Sequence, residues 1–110
     1  MDTAIPDHSK PMSAFLARLW ERNTPILLNR LRTLDDAAEA AGNGTLDDTL
    51  RTAAHAEAHN LAGSLGMFGY PKGTDIAREI EAVLETPDAL TPQRLSELTR
   101  TLRATLFPTP

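Results

Sequence analysis

The sequence predicts an all-α protein, an antiparallel up-down four-helix bundle with an additional short N-terminal helix. Apolar residues recur at spacings of three and four through every long segment, which is the period of a helix with one buried face. No segment alternates apolar and polar residues with period two, so no strand is expected. Proline, glycine and capping residues divide the chain into four long helices with short connections, and short connections make sequential helices antiparallel neighbours.

Residues 1–11, with Pro6 and Pro11, read as a flexible arm. A short helix follows from about Met12 to Glu21, with Phe15, Leu16, Leu19 and Trp20 on one side. It is expected to pack across one end or side of the bundle. Asn23-Thr24-Pro25 places capping residues before a proline, which reads as a helix start. The helix it opens carries Leu27, Leu31, Leu34, Ala38 and Ala41 inward, and Gly42-Asn43-Gly44 ends it. Thr45-Leu46-Asp47-Asp48 resembles a capping box with Asp in place of Glu or Gln, so the next helix is expected from Leu46 to about Phe68. Tyr70-Pro71-Lys72-Gly73 reads as a turn, after which Gly73 or Thr74 opens a helix with Ile76, Ile80, Val83 and Leu84 inward. Thr91-Pro92 opens the last helix, with Leu95, Leu98, Leu102 and Leu106 on its buried stripe. Phe107-Pro108-Thr109-Pro110 cannot continue it, so the domain is expected over residues 12–107 with a tail at 108–110.

Composition excludes several function classes. A chain of 110 residues makes one domain large enough to bury a core. It has no cysteine, hence no disulfide and no thiolate metal site, which suits a reducing compartment. Net charge is -4 with both signs interspersed, so the basic footprint of a nucleic-acid binder is missing. Apolar runs fall far short of the ~20 residues a membrane span needs, and the N-terminal arm has no apolar signal-peptide core. A cytoplasmic monomer is expected, since one bundle closes its own core. No glycine-rich loop follows a strand, so the chain cannot phosphorylate itself from a nucleotide.

The stretch from His55 to Gly69 carries the chemistry. At about 100° per residue, Leu46, Leu50, Ala54, Ala58, Leu61, Leu65 and Phe68 fall in one arc, and His59 lies about 160° from its centre. Gly63 projects the same way and Gly66 lies close by, while Thr52 and Ala56 extend the outward stripe. This face is therefore a lone imidazole on a floor of very small residues. Glycine inside a helix costs about 1 kcal/mol relative to alanine, and an ordinary solvent position would take Lys, Glu or Gln. An exposed histidine alone is usually a plain surface residue. Glycines alone usually serve helix–helix packing, but these project away from the buried arc. Together they describe a ring that another protein can approach closely and that has room for a substituent.

Ala58-His59-Asn60-Leu61-Ala62-Gly63-Ser64-Leu65-Gly66-Met67-Phe68-Gly69 resembles the signature of histidine-containing phosphotransfer (HPt) domains, Ala-His-x-Leu-Lys/Ala-Gly-Ser followed by a glycine. The likeness continues through Ala77-Arg78-Glu79-Ile80-Glu81, and the helix count and lengths agree over about residues 12–106. The resemblance implies a phosphocarrier for two-component phosphorelays. His59 would accept a phosphoryl group from the aspartyl phosphate of a receiver domain, or from a kinase, and pass it to another receiver. His55, Ala56, Asn60, Ala62, Gly63 and Gly66 would form the docking surface around it. The partners implied are response-regulator receiver domains, with a sensor histidine kinase as a further donor. No cofactor is expected on this chain; the magnesium ion and its carboxylate cluster would belong to the receiver. That division agrees with a face expected to have no acidic cluster that could hold a metal. It also agrees with phosphoryl transfer resting on positioning and charge, and with imidazole being a nucleophile near neutral pH.

The sequence departs from the family pattern at one functional point. Many members have lysine three residues after the histidine or directly after it; here those positions hold Ala62 and Asn60. Asn60, Ser64, Lys72, Arg51 and Arg78 are the substitutes within reach, and a shorter-lived phosphohistidine is expected.

Other readings are weaker. His55 and His59, at i and i+4, have the spacing of a shared metal site, but the sequence offers no third ligand, so no metal is expected. Glu57 is expected to pair with Arg30 or Arg78, and Trp20 to be a core or cap residue. The leucine stripes of the second and last helices read as core rather than zipper. A structural adaptor, or a pseudo-HPt domain that docks receivers without transfer, is the alternative class. A phosphotransfer domain cut from a larger kinase is a third.

Overall fold

The computed structural model describes residues 10–86 and 90–108, with side chains described from residue 14 onward. Four helices make up the fold, α1 (Lys10–Gly42), α2 (Asp48–Ser64), α3 (Pro71–Glu85) and α4 (Pro92–Leu106), and no strand occurs among the described residues. No helix among these residues is long and apolar enough to cross a membrane.

The separate N-terminal helix expected from the sequence is not seen; its residues are the first turns of α1, which runs unbroken through Pro25. The reason lies in the residues read as caps. Asn23 Nδ2 donates to the Leu19 carbonyl at 2.7 Å, and Thr24 Oγ1 donates to the Trp20 carbonyl at 2.7 Å. Both side chains turn back onto the preceding turn, a bonding mode that leaves the helix intact. With 33 residues α1 is about 50 Å long, roughly twice each of the others, and the molecule measures 58 × 23 × 20 Å. Nine residues of the expected arm, 1–9, lie outside the described residues, while Lys10 and Pro11 already belong to α1. Thr109 and Pro110 of the expected tail also lie outside them.

Helix ends follow turn chemistry. α1 closes in a Schellman turn at Gly44, with φ 72°, the Gly44 amide bonding the Ala41 carbonyl and the Thr45 amide the Ala40 carbonyl. The cap of α2 is Asp47, not Thr45: its carboxylate accepts from the Leu50 amide at 2.8 Å, while the Thr45 hydroxyl bonds the Ala40 carbonyl. α2 ends at Ser64 rather than near Phe68. Tight turns carry the chain to a second Schellman closure, Gly69 amide to Gly66 carbonyl and Tyr70 amide to Leu65 carbonyl, with Gly69 at φ 87°. Gly66 therefore sits beyond the helix. α3 begins at Pro71, two residues before the expected Gly73, because proline is well suited to the first helical position. α4 starts at Thr91-Pro92 as expected.

Each helix packs against two neighbours, α1 on α2, α2 on α3, α3 on α4 and α4 on α1. Cross-helix pairs give the directions. His55 meets Glu85 while His59 meets Glu81, so α2 and α3 run antiparallel. Gly73 approaches Leu106 while Glu79 meets Arg94, which sets α3 against α4 in the same sense. Trp20 packs on Phe107 while Asp35 pairs with Arg103, so α4 also opposes α1. The leucine stripes form the core as expected, with Leu31, Leu34, Leu61, Leu65, Ile80, Leu84, Leu95 and Leu102 fully buried. Trp20 closes one end, stacked on Tyr70 at 4.8 Å, edge-on to Phe68 at 5.3 Å and tilted against Phe107 at 5.6 Å. Such pairs add about 0.5–1.5 kcal/mol each beyond the area they bury.

Candidate functional site

On α2, Ala54, Ala58, Leu61 and Ala62 form the buried stripe. His59 leaves from the opposite side, with 72% of its side chain exposed. Because α3 runs antiparallel beside α2, the i, i+4 pair His55 and His59 faces a second i, i+4 pair, Glu85 and Glu81. His59 Nδ1 lies 2.8 Å from Glu81 Oε2, and His55 Nε2 lies 2.9 Å from Glu85 Oε2 and 3.7 Å from Glu81 Oε2. Glu81 is the most enclosed of the four, its side chain 18% exposed. An ionised carboxylate only accepts hydrogen bonds, so in the neutral ring the Glu81 contact selects the Nδ1–H tautomer, with the lone pair on Nε2. Among the described residues no hydrogen bond is made at His59 Nε2.

A shallow recess beside the ring is lined by His59, Ala62, Gly63, Arg78 and Glu81. A Cβ added at Gly63 would meet nothing within 4 Å. Internal packing therefore gives no reason for this glycine, although a helix would be more stable with alanine there. A second depression, one to two turns along α2 toward its C-terminus, is lined by Leu19, Ile26, Leu27, Arg30, Met67 and Phe68 among others, and leaves Ile26 and Met67 half exposed.

The residues expected around His59 are distributed unevenly. Ala56, Asn60 and Gly63 are exposed on the α2 face. His55 is partly buried and held by Glu85. Ala62, expected on the outer surface, is only 9% exposed and touches the recess from its inner edge, since it borders the buried stripe. Gly66 is exposed in the turn after α2, where an added Cβ would meet only Thr74 Oγ1, at 3.7 Å. Of the substitutes for the missing lysine, Ser64 bonds its own helix at the Asn60 carbonyl, and Arg51 is occupied by the Leu84 carbonyl and Asp48. Arg78 borders the recess. Glu57 pairs with Arg30 at 2.6 Å, as its position suggested.

One expectation is corrected. The face was read as free of acidic groups, which holds for α2 itself, but α3 brings Glu81 and Glu85 to both histidines. Their contribution depends on helix–helix register, which the wheel of a single helix does not contain. The signal that could have found it is the pair of matching i, i+4 spacings, His55/His59 and Glu81/Glu85.

Comparison with known proteins agrees with this geometry. Residues 25–106 match the model of a family described as Hpt domain. Over 87 residues the chain is 33% identical to Protein RcaC of Microchaete diplosiphon, a match that takes in 79% of this chain and 13% of that protein. No solved structure matches.

Proposed function

The chain belongs to the Hpt domain family, a family of histidine phosphotransfer modules, and on that premise we propose that His59 is the residue that carries the phosphoryl group. The observation that carries the reading is the environment of the ring. One nitrogen is held by Glu81, the other faces open space, and the neighbouring glycine keeps the approach clear at a cost to helix stability.

In the proposed step the Nε2 lone pair attacks the phosphorus of a receiver's aspartyl phosphate in line. The N–P bond forms as the P–O bond breaks, and that bonding pair leaves with the aspartate carboxylate. Positive charge gathers on the imidazole, and Glu81 opposes it across the Nδ1–H bond while holding the ring plane. Glu81 is a positioning residue here, as in other catalytic arrangements where a carboxylate fixes the tautomer and orientation of a histidine. The reading assigns no cofactor to this chain and leaves Mg2+ with the receiver. Arg78 stands in for the absent lysine at the edge of the recess. The apolar depression with Ile26 and Met67 supplies docking area, since exposed apolar patches of this kind suit protein contacts. The partners are receiver domains, the domain acts as a monomer, and its place is the cytoplasm.

The test is incubation with a phosphorylated receiver. The wild type is expected to acquire acid-labile, base-stable phosphate and His59→Gln to acquire none. Equal labelling of the variant, or none of either protein across a panel of receivers, would overturn the reading in favour of a docking-only adaptor. A second measurement follows the lifetime of the phosphorylated form. Arg78→Ala is expected to shorten the half-life and Ala62→Lys to lengthen it, each about two- to fivefold, the range of an exposed charge contact of ~0.4–1 kcal/mol. Unchanged lifetimes would remove Arg78 from the site.

A further inference from the structure

We propose that His55, Glu81 and Glu85 form a binding site for a divalent transition ion of the zinc class. The proposal stands on geometry and donor chemistry alone and does not depend on phosphotransfer. One ligand atom from each of His55, Glu81 and Glu85 lies within 4.8 Å of the others. Tetrahedral zinc holds its nitrogen and oxygen donors at ~2.0–2.2 Å, which sets those donors ~3.4 Å apart. The separations from His55 Nε2 bracket that value: 2.9 Å to Glu85 and 3.7 Å to Glu81. Inserting an ion therefore asks for shifts of tenths of an ångström at these contacts, within the reach of ordinary side-chain torsions.

Two features separate this arrangement from a chance meeting of surface charges. Glu81 and Glu85 are an i, i+4 pair presented to one side of α3 with a rise of about 6 Å, and His55 on the facing antiparallel α2 lies against both. The backbone thus organises all three before an ion arrives. Glu85 and Glu81 are also like charges one turn apart, an unfavourable spacing on a helix. A dication would relieve that repulsion as well as satisfy the His55 imidazole. One imidazole with two carboxylates suits zinc; magnesium prefers oxygen donors and retains its waters. The site is thus distinct from the Mg2+ assigned to a receiver.

The experiment is titration of the full chain with Zn2+ alone against a chelating indicator, with Mg2+ in parallel and circular dichroism to confirm folding. One zinc per chain is expected, with no magnesium binding. His55→Ala and Glu85→Gln are each expected to weaken zinc at least about tenfold, since even outer partners of a metal site are worth that much. His8→Ala, which changes the histidine that lies outside the described residues, is expected to leave the affinity unaltered. The ring resonances of His55 should shift on adding zinc, and those of His8 should not. Absent or multi-site binding, equal affinity in the His55 and Glu85 variants, or loss in the His8 variant would overturn the proposal. None of these readouts requires a phosphate donor, so its failure is separate from failure of the phosphocarrier reading.

Discussion

Two glycines on the same bundle do opposite work, and their substitution separates function from packing. Gly63 is exposed, and a methyl there would touch nothing. Gly63→Ala is expected to raise stability by about 0.5–1 kcal/mol in chemical denaturation. It should also slow phosphoryl transfer from a receiver about tenfold, because the added methyl stands where the partner approaches. Gain of stability without loss of rate would show that the bare helix serves no docking. Gly73 is buried in the first turn of α3, where a Cβ would lie 3.1 Å from Leu65 and 3.3 Å from Leu106. Both leucines are themselves enclosed and have little freedom to give way. Gly73→Ala is expected to destabilise by about 1–3 kcal/mol, the usual cost of overpacking, with the transfer rate unchanged in protein that remains folded. The outward direction of Gly63 was legible in the sequence, because a helical wheel needs only its own helix. The role of Gly73 was not, because the leucines that crowd it come from elements 8 and 33 residues away in the chain.

Elements are where sequence reading and structure part most. The stripes of α1, α2, α3 and α4 were legible because burial follows the helical period, and Thr91-Pro92 marked its helix correctly. Asn23-Thr24-Pro25 was ambiguous in principle. The same side chains cap a new helix if they bond forward, and continue an old one if they bond back. Here they bond back to Leu19 and Trp20. Pro25→Ala distinguishes the two cases. In a continuous helix it restores the amide that the Glu21 carbonyl lacks and removes the least favourable helical residue, so stability should rise by about 1 kcal/mol or more. A fall in stability would mean that Pro25 opens a helix after all. Asp47 replacing Thr45 as the cap of α2 has a similar origin. Thr45 is already used in closing α1, where its amide and hydroxyl both reach the Ala40 carbonyl.

At the scale of the whole molecule, the antiparallel register of α2 and α3 is what turns an exposed histidine into an organised one. Positions 59 and 81 are separated by a loop and two helix segments, so their contact follows from tertiary packing and not from any local pattern. Glu81 stood in the sequence as part of a familiar stretch, without a role. In the folded molecule it is the group that meets His59 Nδ1. The bundle supplies rigidity on both sides of that contact, since α2 and α3 are each buried against a further helix. Little need then move within this domain when a partner arrives, and the chemistry is left to the approach of the donor.

The central claim is that the free nitrogen of His59 receives the phosphoryl group. It is tested most directly by nitrogen NMR of the chain labelled with 15N-histidine, recorded before and after reaction with a phosphorylated receiver. Phosphorus coupling is expected at His59 Nε2, with the proton retained on Nδ1. A phosphoryl group on Nδ1, or on His55 with His59 unmodified, would contradict it.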